Sequence, residues 1–263
     1  MSTLRYAVSD SSTMLRRQFL HMLRYPSMSL FIVGIPIVFL LLFVYVFGGT
    51  LGNGIGGTGD GRAAYVNYVT PGVVLLTVVG AATATAVSVA MDMTEGIIAR
   101  FRTMAIFRPS ILTGHVIGSM VTTLLGMALV IGVALLIGFR PTANVVEWFA
   151  VAGVLTLLVL AVTWLSVALG LAAKGAESAS NMPMPLMLLP FLGSGFVPTE
   201  SMPTWLRWFA EYQPFTPIIE TLRGLLMGTP IGDSAWQTVG WCVGGTVVCF
   251  FWSRSLFNKR SDR

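Results

Sequence analysis

The sequence predicts an all-α integral membrane protein with six transmembrane helices, and three observations lead there. Of the 263 residues, 55% are hydrophobic and only 10% are charged, with a mean hydropathy of +0.79; a water-soluble domain carries about 25% charged residues. No Asp, Glu, Lys or Arg interrupts residues 25–59, 63–91, 109–139, 148–173, 178–199 or 234–253, and a bilayer core about 30 Å thick needs roughly 20 apolar residues per helix. The basic residues fall in the gaps between these windows, most of them in alternate gaps. A disordered chain is excluded by the same composition. The net charge of +5 and pI near 9.6 do not indicate nucleic acid, because the sixteen basic residues are scattered between apolar runs instead of forming one patch.

Residues 1–28 precede the first span. Within them, DSSTMLRRQFLHMLRY at 10–25 reads as an amphipathic helix capped by Asp10, Ser11 or Ser12. At 100° per residue, Leu15, Phe19, Met22 and Leu23 share one face, and Arg17, His21 and Arg24 share the other. Such a helix lies in the membrane interface with its arginines toward lipid phosphate. Arg16, Arg17, Phe19 and Arg24 are its candidate contacts, either for anchoring alone or also for docking a cytoplasmic partner.

The spans are expected at about 29–48, 70–91, 112–138, 148–172, 179–198 and 235–253. The first apolar run is too long for a signal-peptide core and lacks a small-x-small cleavage site, so it is expected to remain as a helix. The following GGTLGNGIGGTGDG, with eight glycines in fourteen residues, reads as a flexible external loop. The third window permits an over-long or tilted helix. In the fifth, Pro183, Pro185 and Pro190 each remove a backbone donor, so a broken helix is expected there. Such a break is tolerable in a membrane only where protein or a cavity satisfies the freed carbonyls.

Charge sets the orientation. With the N-terminus cytoplasmic, twelve of the sixteen basic residues lie inside, and only Arg62, Arg140, Arg207 and Arg223 lie outside. The positive-inside bias therefore places both termini in the cytoplasm, with 254–263 as a basic tail.

Two connecting segments carry more pattern than the rest. In residues 92–110, Glu95 and Gly96 open a short helical run and Pro109 closes it. Ile98, Phe101, Ala105 and Ile106 can share its apolar face, with Arg100 and Arg108 directed elsewhere. A short rigid helix joined directly to two spans acts as a lever. The external stretch 199–234 holds Trp205, Trp208, Phe209 and Tyr212, an aromatic belt suited to the headgroup level. Pro214 and Pro217 then precede a second amphipathic turn, in which Glu220 and Arg223 are three apart and able to pair at the membrane edge. This stretch reads either as an interfacial cap over the helices or as a gate over an exit path.

Several chemistries are missing from the sequence. Neither lysine, Lys174 or Lys259, follows a glycine, so there is no phosphate-binding loop. No HExxH or GxSxG occurs, and the serine of Gly193-Ser194-Gly195 has no nearby base in the sequence. A metal site has almost nothing to use: two histidines, and Cys242 and Cys249 in an apolar segment, where small buried side chains are expected. The spans hold no ionisable group except His115, read as an interfacial histidine bonded to backbone or water, with a proton relay as the alternative. Ion-coupled transport needs such groups. The GxxxG pairs Gly114/Gly118 and Gly240/Gly244 permit close helix approach but are expected by chance among 28 glycines.

Taken together, Glu95-Gly96…Arg102…Pro109 and Ser194-Gly195-Phe196-Val197-Pro198…Met202-Pro203…Trp205-Leu206…Pro214…Pro217-Ile218…Arg223-Gly224-Leu225…Gly228 resemble permease subunits of the ABC-2 transporter family, especially the actinobacterial daunorubicin-resistance type. The resemblance spans nearly the whole chain. Ile97 stands where a small Thr often follows Glu-Gly in that family. The resemblance implies a type-2 ABC exporter fold, with a cytoplasmic coupling helix and external re-entrant or interfacial helices before the last span. It also implies a second permease chain, identical or homologous, and separate ATPase subunits that bind ATP and Mg. The site residues it implies are Glu95, Gly96, Arg100, Phe101, Arg102 and Pro109 for coupling to the ATPase. For an external gate or interface it implies Pro198, Met202, Pro203, Trp205, Glu220 and Arg223. Cargo would be a hydrophobic or amphipathic drug or lipid, with polysaccharide as the alternative. A membrane enzyme or scaffold is the reading from a different class; for it, Glu200, Glu211, Glu220 and Asp233 are the candidate carboxylates, spaced without catalytic pattern.

Overall fold

The computed structural model describes residues 26–54, 61–94 and 109–261, and every regular element within them is helical. The chain runs through α1 (Pro26–Leu42), a π-helical turn (Phe43–Phe47), α2 (Gly48–Gly54), α3 (Gly61–Thr94), α4 (Pro109–Ile137) and α5 (Val145–Ala172). Two short helices follow, α6 (Ala176–Asn181) and α7 (Met184–Leu188), then a 3-10 turn (Thr199–Ser201), α8 (Thr204–Tyr212), α9 (Phe215–Met227) and α10 (Ser234–Ser261).

Among the described residues, four helical stretches are long and apolar enough to cross a membrane: Val33–Gly52, Gly61–Thr94, His115–Ile137 and Val145–Ala172. They match the first four windows of the sequence. The last helix, α10, has 28 residues, about 42 Å at 1.5 Å per residue, but Gln237 and a run of Gly and Thr dilute its hydropathy. The fifth window is broken, as its prolines predict. The chain makes α6, turns at Met182–Pro183, makes α7, and continues in tight turns to Ser194.

Boundaries differ most at three places, one of them the last helix, which runs on to Ser261 instead of ending near 253. The glycine-rich stretch after the first span is not a loop from its start; the helix runs on through Gly54. The second span begins at Gly61 instead of near residue 70 and reaches Thr94. At the π-turn the rings of Phe39, Phe43 and Phe47 follow one another, Phe43 lying beside both of the others. Single π-turns inside α-helices are frequent at functional sites.

α3 is the central column. Its buried face runs from Tyr65 to Ala90 and packs against α1, α4, α5, α6 and α9. One large apolar cluster joins Leu40 and Val44 to Val69 and Val73 of α3, Val130 of α4, Val159 of α5, and Ile218 and Leu222 of α9. α10 lies along α5. Asn144 opens α5 with a reciprocal cap: its side chain accepts from the Glu147 N–H at 2.9 Å, and Glu147 accepts from the Asn144 N–H at 2.6 Å. Cys242 and Cys249 are buried and unbonded, in keeping with small apolar packing. A Cβ added at Gly240 or Gly244 would meet nothing within 4 Å, so within the chain this GxxxG pair permits no close helix approach that a side chain would block.

Candidate functional site

Two polar constellations stand out in this apolar framework, one at each end of α3. The first is built on α9, the amphipathic turn that follows Pro214. Only one of its sides is polar, and α9 is not laid on a surface: Phe215, Ile218, Ile219, Leu222 and Leu226 are buried among α3, α5 and α10. Arg223 is carried inward with them. Its side chain is 10% exposed, and its Nη1 donates to Glu220 Oε1 at 2.7 Å. The expected i,i+3 pair therefore forms, between a buried guanidinium and a Glu220 side chain that is 39% exposed, so the pair itself stays near the few tenths of a kcal/mol of a surface pair.

The rest of the guanidinium ties α9 to two other elements. Nη2 donates to the Ser194 carbonyl at 2.6 Å and to the Tyr68 carbonyl at 3.3 Å. The guanidinium carbon lies 3.8 Å from the centre of the Tyr68 ring, a cation–π contact worth about 1–2 kcal/mol when desolvated. Arg223 thus satisfies one carbonyl of the broken fifth window, that of Ser194, which is the kind of partner such a break requires, and ties it to α3 through the Tyr68 carbonyl.

The same junction includes Gln213 and Thr216. Gln213 Nε2 donates to the Leu189 carbonyl at 2.8 Å and to Thr216 Oγ1 at 3.2 Å, and Thr216 Oγ1 accepts from the Ser194 N–H at 3.4 Å. The turn 193–195 fits here because it has no bulk. A Cβ on Gly72 would lie 2.6 Å from the Gly195 carbonyl oxygen, and one on Gly193 would collide with the Gln213 amide. Tyr65 donates its hydroxyl to the Phe196 carbonyl at 3.2 Å, and Phe196 stacks on Phe191 and meets Phe43 of the π-turn. Among the described residues, Ser194 Oγ, Gln213 Oε1 and Arg223 Nε are buried polar atoms without a hydrogen-bond partner, each an unmet cost of about 1–3 kcal/mol.

Sequence reasoning paired Glu220 with Arg223 but found no partner for Tyr68, Ser194, Gln213 or Thr216, whose contacts between elements run from 22 to 155 residues across the chain. The other external candidates lie on the rim, apart from this hub. Pro198 accepts from the Ser201 hydroxyl, Met202 ends the 3-10 turn, and Pro203 caps α8, accepting from the Arg207 N–H at 2.8 Å. Trp205 is exposed, as are Trp208 and Tyr212, which accords with an aromatic belt.

The second constellation lies at the opposite end of α3. His115 of α4 meets a carboxylate: its Nε2 lies 2.8 Å from Asp92 Oδ2 of α3. Farther along the same pair of helices, Thr85 and Ser119 join their hydroxyls at 2.6 Å. Glu95, Gly96, Arg100, Phe101 and Arg102, together with Arg16, Arg17, Phe19 and Arg24, lie outside the described residues. Pro109 begins α4, as a proline at a helix start does.

A model of the ABC-2 type transporter matches residues 10–227 of the chain. The chain belongs to the ABC-2 type transporter family. It is similar to a daunorubicin resistance ABC transporter permease protein, DrrB1, of Streptomyces coeruleorubidus: 30% identical over 228 residues, covering 85% of this chain and 77% of that one. It is also 26% identical over 220 residues to a probable doxorubicin resistance ABC transporter permease protein, DrrC, of Mycobacterium tuberculosis, covering 81% and 76%. Within the ABC-2 family this chain is a multi-pass membrane permease subunit and not the ATPase. The Arg223 hub falls inside the matched residues, as do Asp92 and His115.

Proposed function

We propose that the chain is one half of a paired permease that moves a hydrophobic or amphipathic molecule, a drug or a lipid, outward across a bacterial cytoplasmic membrane. Two permease chains, identical or homologous, pair within the lipid. The energy comes from separate ATPase subunits that hold ATP and Mg. Six spans place both termini in the cytoplasm, with the broken fifth window and α10 as the last two. Residues 92–110 are the coupling segment, in which Glu95, Gly96, Arg100, Phe101 and Arg102 meet the ATPase, and Pro109 passes the motion to α4. The helix at 10–25 adds a lipid and ATPase contact through Arg16, Arg17, Phe19 and Arg24.

The observation that carries the reading is the inserted α9, pinned by Arg223 across the broken segment. It supports an external gate: α9 packs against α3, α8 packs against α9, and Ser194, Gln213 and Arg223 meet at the junction that such a gate would part. Pro198, Met202, Pro203 and Trp205 form the rim of that gate. The names of the relatives support an amphipathic drug as cargo.

The test is reconstitution with the cognate ATPase in proteoliposomes, with daunorubicin as probe. ATP-dependent daunorubicin movement, and ATP turnover that rises with daunorubicin, are expected. Movement of fluorescent phospholipid without daunorubicin would assign lipid instead, and movement of neither, with oligosaccharide taken up, would overturn the hydrophobic-cargo reading.

A further inference from the structure

The segment 95–108 joins α3 to α4, so any force on it can be spent in two ways. It can splay the two helices at their shared end, or move them together. A directional tie close to the segment favours the second, because it resists splaying where the force enters. Such a tie exists. Asp92 stands three residues before the segment, at the end of α3, and His115 stands one to two turns into α4; their side chains, 18% and 15% exposed, meet at 2.8 Å. His115 Nε2–H donates to the carboxylate whether the imidazole is neutral or charged.

A second tie lies about two turns deeper. Thr85 donates to its own helix at the Ala81 carbonyl at 2.8 Å, so the 2.6 Å contact with Ser119 uses the serine proton. Ser119 in turn offers its carbonyl to Thr123 at 2.7 Å. The hydroxyls have no spare proton for a slipped register. Around both ties, Val89, Val116, Trp164, Val167 and Leu171 form an apolar cluster that joins α3 and α4 to α5, so the pair is seated on a third helix.

We propose that Asp92 and His115 are positioning residues that close the base of the 95–108 segment, making α3 and α4 one rigid lever toward the rest of the permease. This rests on the reading of 95–108 as the ATPase contact. In the assembled transporter, a push on the segment moves both helices without opening them.

The experiment uses the full chain with its ATPase in nanodiscs. Asp92→Ala, His115→Ala and the exchanged pair Asp92→His/His115→Asp are compared with wild type for ATPase co-purification, ATP turnover and daunorubicin movement. Nitroxide labels at Met91→Cys and Ile117→Cys, both exposed positions, with the native cysteines replaced by Ala, report the distance between the helix ends. Each single variant should broaden that distance and lower drug movement per ATP at least five-fold while keeping co-purification; the exchanged pair should recover both. An unchanged distance in Asp92→Ala overturns the clasp, and a broadened distance with normal movement per ATP overturns its role in coupling. Glu95→Ala and Arg102→Ala test the segment separately: if both keep co-purification and turnover, the ATPase-contact reading fails, while the label distances still judge the clasp.

Discussion

Arg223 Nη2 donates to the main-chain carbonyl of Ser194 at 2.6 Å, and this bond joins an inserted helix to the broken segment that precedes it by 29 residues. The same guanidinium reaches Glu220 and Tyr68. Its removal leaves two carbonyls and a carboxylate without their donor. Arg223→Ala should therefore cost about 3 kcal/mol, at the low end for breaking a buried pair. Glu220→Ala should cost less, because Glu220 makes one bond from a side chain 39% exposed. Thermal unfolding in detergent, followed by size-exclusion fluorescence, checks the order. A Glu220→Ala shift equal to that of Arg223→Ala would show that the carbonyl bonds add nothing.

The close approach of Gly72 to Gly195 gives a prediction with a built-in control. A Cβ at Gly72 would sit 2.6 Å from a backbone oxygen, which no rotamer change relieves, whereas one at Gly240 meets nothing within 4 Å. Gly72→Ala should destabilise by about 1–3 kcal/mol through overpacking. Gly240→Ala should stabilise by about 0.5–1 kcal/mol, since alanine is the better helix former. Opposite shifts of the unfolding midpoint are expected, and a stabilising Gly72→Ala would refute the contact.

These two glycines also mark what sequence can and cannot display. The long windows near 70–91, 112–138 and 148–172 became helices because uninterrupted apolar length is itself the physical requirement. Pro183, Pro185 and Pro190 announced a broken helix for the same reason: each removes a donor locally. The Glu220–Arg223 pair was legible from i,i+3 spacing alone. By contrast, Tyr68, Ser194, Gln213 and Thr216 meet only after α9 folds inward, and nothing local encodes that. Gly72 gave no signal because its partner lies more than a hundred residues away. Asp92 was visible as the acid at the end of an apolar window, but its pairing with His115 depends on the rotation of two helices about their axes. The continuation of the first helix through Gly48–Gly54 was hidden by composition, since glycine is unfavourable in a helix but tolerated when packing supports it.

The exposed aromatics of α8 predict a lipid contact without a structural role. Trp205 and Trp208 are 74% and 66% exposed, while Ala210, on the same helix, is fully buried. Trp205→Ala and Trp208→Ala should leave the unfolding midpoint within about 0.5 kcal/mol, as surface changes do. They should also remove part of the fluorescence quenching caused by lipids brominated near the headgroup, because aromatic belts sit at that depth. Unchanged quenching would place α8 away from the lipid interface.

The Thr85–Ser119 contact predicts an asymmetry between its two partners, because each hydroxyl has a single proton. Thr85 spends its proton on the Ala81 carbonyl, so the 2.6 Å contact is a donation from Ser119. Ser119→Ala removes that donor, and Thr85 keeps its own bond. Thr85→Val, close in shape, removes the acceptor and leaves the Ser119 proton to find another within a buried interface. A buried donor left unmatched costs about 1–3 kcal/mol, while deleting both partners is nearly neutral. Thr85→Val should therefore destabilise more than Ser119→Ala, and the double variant should be no worse than Thr85→Val alone. A double-mutant cycle on unfolding midpoints reads the coupling directly. Equal single effects that add in the double variant would mean that the two hydroxyls do not hold α3 and α4 together.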